Sequence, residues 1–240
     1  MNENKGSRIL IKGTVQGVGF RPAVYRAASK LGIRGRVWNN GSDVVIEAER
    51  ADELIAEINA SLPPLAKIED ILVTETEMPP LKGFSIDGSS PGGEGVSIPT
   101  DTAICDSCLL EMRSAGRRSG YAFTSCTDCG ARFTLLSGLP YDRRNTSMSD
   151  FPMCPECGKE YDRPAERRFH HQTVCCPVCG PSYRLLDRQG ATIPGDPIPT
   201  FAGMLSDGKI GIAKSWGGMH ICCTLDSLDR LRIWYGRPQK

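Results

Sequence analysis

The amino-acid sequence predicts an α+β protein built from three consecutive parts. Strand and helix patterns alternate over residues 1–90, four C-x-x-C pairs follow within residues 103–186, and a shorter α/β pattern occupies residues 187–240. Residues 91–102 are rich in Gly, Ser and Pro and are expected to form a linker. A chain of 240 residues is long enough for two or three small domains of this kind.

The first part has the order strand, helix, strand, strand, helix, strand. Pro22 suits the first turn of the first helix and Gly32 suits its end, while N-N-G-S after Trp38 favours a tight hairpin. This βαββαβ order predicts a ferredoxin-like sandwich, an antiparallel sheet with two helices on one face. The apolar patterns predict strands at 8–14, 33–38, 43–48 and 68–77, a short strand at 84–86, and helices at 22–32 and 51–61.

The loop between the first strand and the first helix is a candidate phosphate site. It reads V-Q-G-V-G-F-R from Val15 to Arg21. A Gly-rich turn before a helix N-terminus directs several backbone N–H groups to one point, and Arg21 adds a guanidinium there. No Gly-Lys-Ser/Thr follows, so the loop is not a Walker loop. The alternative is an ordinary turn beside a solvated arginine.

Eight of the eleven cysteines form four C-x-x-C pairs. Two such pairs suit one zinc ion bound by four thiolates, and a chain without a secretory signal favours metal over disulfides. Four thiolates leave no coordination position for water, so we expect two structural zinc ions rather than a zinc hydrolase. The predicted ligands are Cys105, Cys108, Cys126, Cys129, Cys154, Cys157, Cys176 and Cys179.

An internal repeat decides how these cysteines are divided. The pair Arg117-Arg118 and the sequence C-x-x-C-G at 126–130 recur 50 residues later. The repeat predicts two copies of one unit with one zinc each, and an interleaved arrangement that shares pairs between the copies is the alternative. Cys175 aligns with Ser125, so Cys176 is the predicted ligand of its pair.

The loops between the cysteine pairs contain Pro140-Tyr141-Asp142-Arg143 and the neighbours His170 and His171. Because each predicted zinc already has four thiolates, both histidines are expected to serve packing or to lie at the surface. A catalytic or ligand role is the alternative.

Charge and hydropathy exclude some function classes. The chain has 29 basic and 28 acidic residues, a net charge of +1, which argues against a general nucleic-acid binding surface. No apolar run has the roughly 20 residues that cross a bilayer, and the first residues do not form a signal peptide. We therefore expect a cytoplasmic protein without a membrane partner.

The last part predicts a helix that ends near Gly208, two strands joined by S-W-G-G, and the start of another helix. Lys214, Gly217, Gly218 and His220 surround that turn and could bind a nucleotide weakly. The alternative is that they are ordinary edge and core residues.

The first part resembles the acylphosphatases in two motifs, G-T-V-Q-G-V-G-F-R and G-R-V-W-N-N-G. The resemblance implies that Arg21 binds the phosphoryl group and that Asn39 orients the attacking water. Acyl phosphates carry a good carboxylate leaving group, so their hydrolysis needs positioning and charge stabilisation more than a strong base. The phosphate-binding backbone is implied at Gln16, Gly17, Val18, Gly19 and Phe20.

The order of the parts is similar to the amino-terminal third of the HypF family, carbamoyltransferases that mature nickel-iron hydrogenases. In that family a YrdC-like nucleotide-binding domain follows the zinc units, and its K-x-x-G-G-x-H motif is matched from Lys214 to His220. Residues 187–240 are then the truncated start of that domain.

The family resemblance implies a relay. Carbamoyl phosphate is hydrolysed at the first domain, carbamate is activated with ATP at the YrdC-like domain, and the carbamoyl group passes to a partner maturation protein. This chain carries the residues of the first step; ATP would bind only to a complete YrdC-like domain, and carbamoyl transfer by the chain alone is not expected. The alternative is a zinc-ribbon protein-interaction module whose acylphosphatase-like domain is an inactive scaffold.

Overall fold

A five-stranded sheet covered by two helices forms the first part of the computed structural model, which describes residues 5–90 and 100–236. The order of elements is the predicted βαββαβ with one further short strand, and the fold class is α+β as predicted. The elements are β1 (Lys5–Thr14), α1 (Phe20–Leu31), β2 (Gly35–Asn40), β3 (Asp43–Ala48), α2 (Ala51–Ala60), β4 (Lys67–Glu77) and β5 (Phe84–Ile86).

The sheet is mixed, whereas the sequence predicted a wholly antiparallel one. Its strand order is β4-β1-β3-β2-β5. Neighbouring strands pair antiparallel except at one edge, where β5 runs parallel to β2. The chain leaves β4 at one edge and adds β5 at the opposite edge, so β5 takes the direction of β2 rather than that of a hairpin partner.

The core lies between the sheet and the two helices. Ile9 of β1 pairs with Ile46 of β3, which in turn pairs with Val37 of β2, and all three side chains are fully buried. Because side chains alternate along a strand, Asn39 lies on the same face as Val37. A polar residue is thereby carried to the core face at the end of β2, close to the start of α1.

Regular structure is sparse in the cysteine-rich part, as expected of metal-binding units. Its two helices are α3 (Asp106–Arg113) and α4 (Pro155–Asp162), and each begins directly after the first cysteine of a C-x-x-C pair. The remaining regular elements are three short 3₁₀ turns at Phe133–Leu135, Arg143–Asn145 and Ser147–Asp150.

The predicted linker falls mainly on residues 91–99, which lie outside the described residues. On either side of these residues the chain is hydrogen-bonded to the neighbouring domain. The N–H of Ser90 donates to the carbonyl of Asn39 over 2.9 Å, and Thr102 exchanges backbone hydrogen bonds with Gly130.

The chain divides into two compact units, Met1–Gly180 and Pro181–Lys240. The second unit has α5 (Pro197–Ser206), a hairpin of β6 (Gly211–Lys214) and β7 (Met219–Cys222), a 3₁₀ turn at Leu225–Ser227, and α6 (Leu228–Tyr235). No helix in the described part of the chain has both the length and the apolar character needed to span a membrane.

Candidate active site and metal centres

The loop between β1 and α1 places Arg21 in the first turn of α1. Gly17 and Gly19 adopt φ angles of 67° and 76°, a left-handed conformation that favours glycine. The structure begins the helix at Phe20, two residues before the predicted start, so Pro22 stands inside the first turn, where its missing N–H is not needed. Arg21 is only 8% exposed.

The buried side chain of Gln16 ties the loop to both of its surroundings. Its amide nitrogen donates to the carbonyls of Gly41 and Asp43, over 2.8 and 3.0 Å. Its amide oxygen accepts from the backbone N–H of Tyr141 over 3.0 Å. The loop is therefore fixed to the β2–β3 turn and to the cysteine-rich part.

Arg132 holds the loop from the cysteine-rich side. This arginine is 1% exposed, and its Nε donates to the carbonyl of Gly17 over 2.6 Å. Its other nitrogens donate to the carbonyls of Thr127 and Gly130 within its own part of the chain. The acylphosphatase-like loop and the metal-binding part are thus joined by a partly buried, charge-assisted hydrogen bond.

Arg21 contacts acceptors from two separate segments. Its Nη2 donates to a carboxylate oxygen of Asp142 over 3.1 Å and to the carbonyl of Tyr141 over 3.4 Å. Its Nη1 donates to the hydroxyl of Ser89 over 3.4 Å. The guanidinium that is predicted to bind a phosphoryl group is therefore paired with the carboxylate of Asp142 in this structure.

Asn39 is fully buried and only half satisfied. Its Nδ2 donates to the carbonyl of Tyr141 over 3.4 Å, the same oxygen that Arg21 contacts. Its Oδ1 is buried and has no hydrogen-bond partner within residues 5–90 and 100–236. A buried acceptor without a donor costs about 1–3 kcal/mol, so this atom is a suitable acceptor for a water molecule.

A small cavity of about 20 Å³ opens beside Arg21. Such a volume accommodates about one water molecule. One wall consists of loop and helix residues that include Gly17, Gly19 and Arg21, and the other consists of residues from the cysteine-rich part. That second wall is formed by Thr127, Tyr141, His170, His171 and Gln172.

The two histidines differ in environment, and neither belongs to a four-cysteine group. His171 is buried, and its Nε2 lies 2.9 Å from the Ser125 hydroxyl and 3.1 Å from that of Thr173. Burial and nearby arginines hold the pKa of His171 well below its usual value. His170 faces the cavity, and burial together with the charge of Arg21 lowers its pKa to about 4. Both rings are neutral at pH 7.

The eight predicted ligand cysteines form two separate groups, one from each repeat. In the first group Cys126 Sγ lies 3.7 Å from Cys105 Sγ and 3.8 Å from Cys129 Sγ. A tetrahedral zinc with bonds of about 2.3 Å needs sulfur atoms about 3.8 Å apart, so this donor set fits zinc. The distances exclude disulfides, whose sulfur atoms are about 2 Å apart.

The second group has the same geometry. Cys176 Sγ lies 3.7 Å from Cys154 Sγ and 3.8 Å from Cys179 Sγ, and Cys157 completes the set. Cys175 stands outside it and accepts a contact from the hydroxyl of Tyr121 at 3.6 Å. The grouping is sequential rather than interleaved.

Each repeat supplies an arginine pair to the thiolates of the other. From the first repeat, Arg117 Nη1 lies 3.1 Å from Cys157 Sγ, and Arg118 Nη2 lies 3.6 Å from the same sulfur. Both arginines also form ion pairs with Glu160 of α4, at 2.7 and 2.6 Å. Positive charge from one unit thus offsets the negative charge of four thiolates in the next.

The second repeat makes the corresponding contacts with the first. Arg167 Nη1 lies 2.9 Å from Cys108 Sγ, and both Arg167 and Arg168 form ion pairs with Glu111 of α3. Burial raises the pKa of Glu111, but the hydrogen bonds and charges of the arginines outweigh it and lower the pKa to about 2. Each finger is therefore stabilised by two arginines of the other finger, across a pseudo-symmetric contact.

The residues matched to a nucleotide motif lie on the hairpin of the second unit. Lys214 Nζ donates to the carbonyl of Ser215 over 2.9 Å, and the Ser215 hydroxyl lies 3.1 Å from His220 Nε2. Gly217 and Gly218 occupy the turn between β6 and β7. The structure thus brings the four residues together at one exposed hairpin end.

The sequence reasoning missed the second wall of the cavity. Tyr141 and Asp142 stand about 120 positions from Arg21, yet both contact it. Their loop and the His170-His171 loop were visible as segments that metal binding did not require. That was the available signal, and it did not indicate what the loops would contact.

Comparison with known proteins agrees with this architecture. Residues 7–86 match the acylphosphatase family model, and residues 104–136 and 153–186 match the HypF finger model. The carbamoyltransferase HypF of Rhodobacter capsulatus is 45% identical over 239 residues, which is 97% of this chain and 32% of that relative. An acylphosphatase of Lactococcus lactis is 37% identical over 91 residues, which is 33% of this chain and 94% of that relative.

Two solved structures are similar over nearly the whole chain. A full-length HypF in its phosphate- and nucleotide-bound form gives a TM-score of 0.89 at 38% identity, covering 98% of this chain and 32% of that one. The structure of T. kodakarensis HypF gives a TM-score of 0.83 at 42% identity, covering 98% of this chain and 31% of that one.

The fold and the site define an acylphosphatase domain followed by a pair of four-cysteine fingers. The chain belongs to the HypF carbamoyltransferase family, an enzyme family whose amino-terminal region it matches. It spans about a third of the length of the relatives that match it throughout, at 32% of the Rhodobacter protein.

Proposed function

We propose that the first domain hydrolyses acyl phosphates, with carbamoyl phosphate as the intended substrate. The observation that carries this proposal is the pairing of a buried arginine with a buried asparagine whose oxygen has no donor among the described residues. Arg21 and Asn39 come from different elements and converge on one carbonyl, that of Tyr141.

The chemistry follows from these groups. The phosphoryl oxygens bind the N–H groups of residues 16–20 and the guanidinium of Arg21, where they replace Asp142 and the Tyr141 carbonyl as acceptors. Asn39 Oδ1 accepts a hydrogen bond from water and directs its oxygen at phosphorus. The bond between phosphorus and the acyl oxygen breaks, the carboxylate leaves, and the water protons remain with the phosphate product and solvent.

We propose that both four-cysteine groups bind zinc in a structural role. Four thiolates fill the coordination sphere, and the arginines around them neutralise charge without opening a position for water. The fingers then hold Arg132 and the Tyr141–Asp142 loop against the phosphate loop, so zinc supports the site through folding rather than chemistry.

The wider role is proposed from the family. The acylphosphatase step supplies carbamate in a carbamoyl relay that serves nickel-iron hydrogenase maturation, with a maturation protein as partner. We assign residues 1–90 to hydrolysis, 91–102 to a linker and 103–186 to the fingers. Residues 187–240 are assigned to the YrdC-like segment, whose Lys214, Gly217, Gly218 and His220 bind nucleotide only weakly.

The proposal is tested by phosphate release from carbamoyl phosphate. Arg21→Ala is expected to lower kcat/KM by on the order of 10²–10³, because it removes the main charge on the phosphoryl group. Arg26→Ala is the matched control, since Arg26 lies on the same helix, is exposed, and donates a hydrogen bond at the surface to the carbonyl of Pro164. Wild-type turnover by folded, metal-loaded Arg21→Ala would contradict the role of Arg21, whereas no phosphate release by the folded, metal-loaded wild type would favour the inactive-scaffold hypothesis.

A further inference from the structure

The finger part of the chain forms one wall of the candidate active site. Thr127, Tyr141, His170, His171 and Gln172 line the cavity opposite the phosphate loop. Of these, His170 is part-exposed toward the cavity, while His171 and Gln172 are buried. The cavity of about 20 Å³ leaves little room between the two walls.

The line of attack determines which part of the substrate meets this wall. In phosphoryl transfer the attacking and leaving oxygens lie on opposite sides of phosphorus. Asn39, which holds the water in the proposed function, is fully buried and is not among the described residues that line the cavity. The acyl group therefore leaves on the side away from Asn39, into the cavity that His170 lines. This step rests on the proposed function.

The wall distinguishes this chain from acylphosphatases that consist of the first domain alone. The lactococcal acylphosphatase matches over 94% of its own length but only 33% of this chain. Its aligned length therefore leaves no segment to correspond to the fingers. A wall of finger residues beside the phosphate loop is therefore a feature of this chain for which that relative has no matching segment.

We propose that the finger wall selects the acyl group by size, admitting a carbamoyl group and rejecting an aromatic one, with His170 as the residue that sets the limit. The ring of His170 is fixed against Phe169 at 4.6 Å and Tyr161 at 4.8 Å between centroids. Gln172 Nε2 also donates to the His170 carbonyl over 2.7 Å. A ring held in this way cannot turn aside at low cost.

The backbone of His170 makes a clean test possible. Its φ of 53° is a left-handed conformation that Gly and Asn adopt with little strain. His170→Asn and His170→Gly therefore shorten the side chain in two steps without opposing the local fold. Arg50→Gly is the matched control, because Arg50 is the other non-glycine residue of positive φ in the described chain, at 47°, and lies beside the far end of α1.

The experiment compares kcat/KM for carbamoyl phosphate and benzoyl phosphate in the full chain, with metal content and melting temperature recorded for each variant. The wild type is expected to prefer carbamoyl phosphate by at least about tenfold. The preference for carbamoyl phosphate should be lower in His170→Asn than in the wild type and lowest in His170→Gly, where it should have fallen by roughly tenfold. In Arg50→Gly the preference should stay unchanged.

Two results would overturn the size filter while leaving the hydrolase intact: equal efficiency with both compounds in the wild type, or a preference that both His170 variants retain. Absence of phosphate release from either compound would instead contradict the proposed function itself. The two failures are therefore distinguishable in one set of assays.

Discussion

Asp142 occupies Arg21 before any phosphate arrives, and removing its charge tests that competition. Asp142→Asn keeps the size of the side chain and an oxygen that can accept from Arg21, so the loop should keep its position. The carboxylate lies 3.1 Å from Arg21 Nη2, and the two side chains are 17% and 9% exposed. A phosphate bound to the same guanidinium would lie close to this carboxylate and repel it.

Coulomb's law gives the size of the repulsion between the bound phosphate and the Asp142 carboxylate. Two unit charges about 5 Å apart interact by about 3 kcal/mol at an effective dielectric constant of 20. The carboxylate relieves part of this by turning toward solvent, so we expect a net gain of about 1.4 kcal/mol for Asp142→Asn. That gain corresponds to roughly tenfold tighter phosphate binding.

Titration calorimetry with inorganic phosphate, at two salt concentrations, measures this gain directly. Competitive inhibition of carbamoyl phosphate hydrolysis by phosphate should report the same change. Asp150→Asn is a suitable control, because Asp150 is exposed and lies in the same part of the chain. Weaker phosphate binding by Asp142→Asn would refute the reasoning and would mean that Asp142 positions Arg21 instead of competing for it.

Three further changes test the metal centres and the water-binding group. Arg118→Ala should destabilise the second finger by about 1–3 kcal/mol, because Glu160 keeps its ion pair with Arg117 but loses its hydrogen bonds from Arg118, and zinc release to a chelator should accelerate. Cys175→Ser should keep two metal ions per chain in native mass spectra, whereas Cys176→Ser should lose one. Asn39→Ala should lower kcat on the order of 10²-fold with a smaller effect on KM.

Each of these has a result that contradicts it. Arg113→Ala, which changes an exposed residue in the same segment, is the control for Arg118→Ala. Equal rates of zinc release from the two variants would mean that Arg118 does not stabilise the second finger. Loss of metal from Cys175→Ser would reverse the assigned ligand. An unchanged kcat in Asn39→Ala would leave the attacking water without its proposed acceptor.

The groups that sequence reasoning found are encoded locally. Arg21 follows a Gly-rich turn at a helix start, Asn39 lies at the end of a strand, and each C-x-x-C pair spans four residues. Local patterns of this kind specify both the chemistry and the element that carries it. The 50-residue repeat added the division of the thiolates into two sets, which the structure also has.

The groups that it missed depend on contacts between distant segments. Asp142 meets Arg21 only because the fingers pack against the first domain, and no pattern near either residue indicates this. The repeated arginines were recognised as a repeat, but their binding to the opposite unit requires the two fingers to face each other. The parallel β5 was missed for the same reason, since a three-residue strand carries no information about its direction.

The most direct test of the account is hydrolysis of carbamoyl phosphate in ¹⁸O-enriched water, with the released phosphate analysed by mass. If Arg21 holds the phosphoryl group and Asn39 directs water at phosphorus, each enzymatic turnover places one ¹⁸O in phosphate, and this labelled product should disappear in Arg21→Ala. Enzymatic release of unlabelled phosphate would mean that water attacks the acyl carbon instead, and would contradict the proposed geometry of the site.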